Sequence, residues 1–76
     1  MIINNTTSSA ISWIVNNNTD QLSGTKGPQS WGSVNAPAGP FNYTVIINSL
    51  TVHNVNNPDA CITYTGTEIV ITYPGA

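Results

Sequence analysis

The stretch TVHNVNNPDAC, residues 51–61, carries the chain's one histidine and its one cysteine, with an acid two residues before the thiol. A thiol beside an imidazole is the arrangement nucleophilic catalysis needs, and Asp59 is the group that would orient the ring. If His53 and Cys61 stand on neighbouring strands across the NNPD turn, they come within reach of each other. No nucleophile or oxyanion motif surrounds them, however. The plainer reading makes Cys61 a small buried hydrophobe and His53 a surface strand residue. On that reading the chain is not an enzyme.

The other polar groups lead away from metals and cofactors. Asp20, Asp59 and Glu68 form no i, i+2 cluster for calcium and no paired carboxylates. A single His and a single Cys fall short of the roughly four ligands a structural zinc requires. SGTKGPQ sets glycines beside Lys26 but lacks the G-x-x-x-x-G-K-[ST] spacing of a phosphate loop. The expectation is therefore no metal and no cofactor.

The aromatic residues are more suggestive. Trp13, Trp31, Tyr43, Tyr64 and Tyr73 lie among eleven Asn, ten Thr and seven Ser. A sugar offers apolar C–H faces, on which aromatic rings stack, and hydroxyls, which amides read because they both donate and accept. Trp13 alternates with Ile11 and Val15 and reads as core. Trp31, flanked by Ser30 and Gly32 at a loop edge, fits a surface position as well as a core one. Between the two runs VNNNTDQLSGTKGPQSW, residues 15–31, with only Leu22 to bury between its ends. Long loops without structure of their own are often functional. The alternative is a solvated hairpin crossing with a short strand inside it. The binding-loop reading names Asn18, Asp20, Gln29 and Trp31 as the residues that contact a glycan ligand.

Charge narrows the partners further. Lys26, Asp20, Asp59 and Glu68 are the only charged side chains, and the net charge is −2, where about 25% charged residues is usual. A chain without arginine has little to hold nucleic acid phosphates or an anionic membrane surface. It shows no amphipathic helix for membrane insertion either. No basic, apolar leader opens the sequence, so it reads as cytoplasmic, non-classically secreted, or a mature fragment. Sequons at Asn4, Asn5, Asn17 and Asn42 are what an Asn/Thr-rich composition produces by chance.

The elements that must position these residues are strands. SAISWIV places Ile11, Trp13 and Val15 on one face, and FNYTVII does the same for Phe41, Tyr43, Val45 and Ile47. The apolar phase then shifts to Leu50, Val52 and Val55, which requires a bulge or a turn at Asn48-Ser49. CITYTGTEIVITY reads as a hairpin turning at Thr65-Gly66, and IIN as a short first strand. NAPAGPF, with Pro37 and Pro40, belongs to a rim loop or an edge. The sum is one all-β domain over residues 1–76, an antiparallel sandwich or small barrel of six to seven short strands.

IINNTTSSAISWIV followed by SWGSVNAPAGPFNYTVIIN resembles small leaderless β-sandwich proteins of mushroom fruiting bodies, several families of which are lectins or defence proteins. The likeness covers about the first two-thirds of the chain and lies in composition and strand pattern. It implies a sandwich that binds carbohydrate, and it carries over no ligand residue.

A domain this small has a thin core, and Cys61 has no partner for an internal disulfide. Self-association is the remaining support. Edge strands in soluble proteins are commonly guarded by lysine, and here the single lysine lies in the 15–31 stretch. TEIVITY is the β-prone, nearly uncharged candidate edge. A homo-oligomeric glycan-binding protein is thus the first expectation, and a self-assembling structural subunit the second.

Overall fold

Ile11, Trp13 and Val15 point to one side of β2 (Ile11–Asn16), and Tyr43, Val45 and Ile47 to the same side of β5 (Tyr43–Ile47). The two strands pair antiparallel, with Trp13 opposite Ile47 and Val15 opposite Val45, so the alternation of each builds one apolar surface. A computed structural model describes residues 1–74. The other elements are β1 (Ile2–Asn5), β3 (Gln21–Lys26), β4 (Ser30–Ser33), β6 (Leu50–Val55), β7 (Cys61–Tyr64) and β8 (Ile69–Thr72). No helix occurs among the described residues.

The strands form two four-stranded sheets, here called front (order β4-β1-β7-β8) and back (order β3-β2-β5-β6). Ile3, Ile62 and Tyr64 from the front meet the β2 and β5 side chains, with Val55 and Ala60 completing the buried core. The fold is an all-β sandwich. It differs from the expected form in two ways: there are eight strands rather than six or seven, and β1 pairs parallel with β7 while every other pair is antiparallel.

Both differences have physical causes. The supposed loop between the tryptophans contains β3 and leads directly into β4. The inward positions of β3 are Leu22, Gly24 and Lys26, and that of β4 opposite Ile3 is Gly32, so no apolar alternation marks either strand. The glycines are required by what covers them. A Cβ on Gly24 would lie 2.9 Å from Cζ2 of Trp13, and one on Gly32 would lie 2.7 Å from Nζ of Lys26. The parallel pair joins segments nearly sixty residues apart, with Ile2 opposite Cys61, a long-range choice that no local pattern encodes.

The phase shift after β5 uses both devices that could produce it. Asn48-Ser49 forms the tight turn, with Asn48 at φ 53° and Ile47 opposite Leu50. Farther on, Tyr43 opposes Val55 while Val45 opposes Val52, so β6 holds one residue more than β5 over that interval. That is a bulge, and Asn54 at φ 62° accommodates it. Val52 and Val55 thereby face the same core.

Two buried asparagines fasten the loops. Asn5 donates from Nδ2 to the carbonyls of Ser9 (2.8 Å) and Gly27 (2.9 Å), while its Oδ1 accepts from the N–H and hydroxyl of Thr7. Asn17 does the same at the other end of β2, donating to Ala38 O (2.8 Å) and Pro40 O (3.2 Å) and accepting from Thr19 and from the Asp20 N–H. In each case an N-x-T sequence makes an Asx turn and ties it to a distant segment. Their amide nitrogens are buried and committed, so neither sequon is available for glycosylation in the folded chain. Asn42 is exposed.

Candidate functional site

β1 has an inner face, Ile3 and Asn5, and an outer face, Ile2 and Asn4. Register extends that outer face across the whole front sheet. Trp31, Asn4, Thr63 and Val70 form one row, and Ser33, Ile2, Cys61 and Thr72 form the next. None of the eight is Asp, Glu, Lys, Arg or His. Trp31 stands 68% exposed there, so most of the roughly 2–3 kcal/mol that burial of such a ring supplies is not realised in folding. With Ile2, Asn4 and Cys61 it lines a shallow hollow of about 300 Å³. An indole face, an adjacent amide and neighbouring hydroxyls on an uncharged surface are the donors, acceptors and stacking platform that a neutral sugar engages.

Trp13 is the opposite case. It is 6% exposed and packs over Gly24, and its Nε1 is buried without a hydrogen-bond partner. Its indole is part of the core.

The four residues expected to contact ligand do not converge. Asn18 (φ 76°) and Asp20 lie in the β2–β3 turn, with Asn16, Thr19 and Gln21 around a polar hollow of about 440 Å³. Gln29 (φ 49°) and Trp31 lie at the opposite end of β3, about 20 Å away for a six-residue strand. Gln29 is exposed and its N–H is tied to Thr7 O at 2.9 Å. The polar hollow has the greater volume but no aromatic side chain lining it, and the Asp20 carboxylate already accepts the Gln21 N–H at 2.8 Å. Of these two hollows, the one at Trp31 sets an aromatic face beside hydrogen-bonding groups.

Sequence reasoning did not find Asn4 as Trp31's neighbour. IINN shows alternation, but nothing local says that Asn4 and Trp31 stand opposite each other. Cys61, expected in the core, is half-buried on the outer face of the front sheet. His53 is exposed on the outer face of the back sheet, where its Nδ1 lies 3.3 Å from Thr44 Oγ1. The two residues belong to strands of different sheets and look outward on opposite sides, so they are not the adjacent pair that a thiol–imidazole mechanism needs. Among the described residues no three His, Cys, Asp or Glu groups are placed to hold a metal ion. No helix among them is long and apolar enough to cross a membrane.

Burial pushes the Tyr43 phenol above its ordinary value, and the Asp59 carboxylate adds to the effect by opposing a second negative charge. The hydroxyl donates to Pro37 O at 3.4 Å, holding the rim loop.

Comparison with protein-family models, with curated proteins and with solved structures found no match.

Proposed function

We propose that the protein binds neutral carbohydrate, without catalysis, on the outer face of the front sheet. The observation that carries this reading is Trp31, an exposed indole set opposite the Asn4 amide among eight outward positions that hold no ionic side chain. Trp31 stacks on the C–H face of a sugar ring, Asn4 exchanges hydrogen bonds with its hydroxyls, and Thr63 and Ser33 lie in range for further contacts. Such a site is shallow, and its affinity for a single sugar unit is correspondingly weak. Asn18 and Asp20 stand too far away to share one sugar unit with Trp31. They serve only an extended glycan.

A glycan array probed with the labelled wild type and with Trp31→Ala tests this. The expected result is a set of neutral glycans bound by the wild type and lost in the variant. Ligand should also slow alkylation of the Cys61 thiol, which lines the same hollow. An array on which the two proteins give the same signals overturns the reading.

A second reading is self-assembly as the function itself. It is supported by the shortage of charge and by the four strands that end the two sheets, β3, β4, β6 and β8. In that case no glycan binds, and the assembly grows.

A further inference from the structure

The sheet edges are not equally protected. β3 ends in Lys26, whose ammonium group reaches over Gly32 of β4. β4 is interrupted by that glycine. β6 is bulged at Asn54. Each is a feature that discourages strand addition. β8, Ile69-Val70-Ile71-Thr72, has no lysine, proline, glycine or bulge.

We infer that β8 is the site where a second copy of this chain adds, forming a closed two-fold dimer. The ladder fixes which backbone groups are free. The Thr65 N–H bonds to Glu68 O at 3.1 Å, and from that pair hydrogen-bonded positions alternate along the β7–β8 hairpin. The N–H and C=O groups of Ile69 and Ile71 therefore face away from β7. A two-fold axis normal to the sheet, midway between Val70 and the partner's Val70, sets Ile69 against the partner's Ile71 and closes four backbone hydrogen bonds. In this register Val70 meets the partner's Val70 on the outer face, an apolar cross-strand pair. Glu68 falls opposite the partner's Thr72, so the two carboxylates do not meet. The contact is isologous and closes at two copies.

The dimer has a continuous eight-stranded front sheet, with both outer faces on one side. The two Trp31 side chains then stand at its far edges, seven interstrand steps of about 4.8 Å apart, or about 34 Å. Paired weak sites on one face bind a multivalent surface far more tightly than either site alone. That use of the dimer rests on the glycan reading above, whereas the dimer itself does not.

Sedimentation equilibrium on the full chain, without sugar, tests the inference from low micromolar to near-millimolar concentration. The expected mass rises from the 8.0 kDa of the single chain to twice that value and stops. Val70→Lys, which sets two lysines against each other, should weaken association at least tenfold. Thr51→Lys, on the exposed outer face of the back sheet, should leave it unchanged. Amide exchange on the wild type provides a readout independent of any variant: Ile69 and Ile71 should become protected as concentration rises. A single-chain mass at every concentration overturns the proposal, as does growth without limit or unchanged exchange at Ile69 and Ile71.

Discussion

Asn4 and Asn5 are neighbours in sequence, and so are the two regions they serve. On the inner side of β1 lies Asn5, in the layer that also buries Trp13. On the outer side Asn4 lies opposite Trp31. Both layers use an indole and a carboxamide, to different ends. Inside, the amide makes bonds to Ser9, Gly27 and Thr7, and the indole is packed even though its N–H finds no acceptor. Outside, the same two groups are set opposite each other by the strand pairing on the outer face of the sheet. The contrast shows that residue type does not decide which side chains are buried in this chain. Strand register does.

The largest effect should come from the interior indole. Trp13→Ala removes a fully packed ring from a thin core and should cost about 3–5 kcal/mol, read from denaturant midpoints. Trp13→Phe should cost less than half as much, because it retains most of the packing and removes the orphaned N–H. Equal losses from the two variants would mean that the indole nitrogen has a partner after all.

The interior amide comes next. Asn5→Ala removes a fully buried amide and strips partners from the Ser9 and Gly27 carbonyls and from the Thr7 N–H, and should cost about 2–3 kcal/mol. Asn4→Ala, one residue away, should stay within about 0.5 kcal/mol. A large stability loss from Asn4→Ala would move that residue from the binding face to the structural layer.

Tyr43 gives the interior a pH signature. Its folded pKa is raised above the ordinary value of 10.0, so the unfolded chain loses the phenolic proton first as pH increases. The contribution is fully present below pH 10 and is lost as pH climbs through the folded pKa. Thermal melts should fall above pH 10 in the wild type, and less steeply in Tyr43→Phe. Parallel curves for the two would show that the phenol does not control alkaline stability.

The smallest effect on stability belongs to Trp31→Ala, within about 0.5 kcal/mol for a side chain this exposed. The same substitution should abolish sugar binding. A substantial loss of stability would make Trp31 part of the core in solution.

Much of the sandwich was legible because its central strands obey strict alternation: Ile11, Trp13 and Val15 in β2, Tyr43, Val45 and Ile47 in β5. The β7–β8 hairpin announced itself through Gly66, which takes φ 99°. β3 and β4 were hidden for a specific reason. Among their inward positions only Leu22 is a large apolar residue, while Gly24 fits under Trp13 and Gly32 under Lys26. A stretch that reads as a flexible loop contains the edge strand β3 and the start of β4. The site was half legible: the exposed character of Trp31 could be raised from its neighbours in sequence. Its pairing with Asn4, and the separation of Asn18 and Asp20 from it, depend on register over long range.

If the outer face binds sugar as proposed, Trp31, and not Trp13, meets it. Two indole N–H resonances in a ¹⁵N-correlated spectrum report on them separately, assigned with Trp31→Ala and Trp13→Phe. Titration with a panel of neutral oligosaccharides should move the Trp31 indole signal progressively and leave that of Trp13 in place. A Trp31 signal unmoved by every member of the panel would contradict the claim.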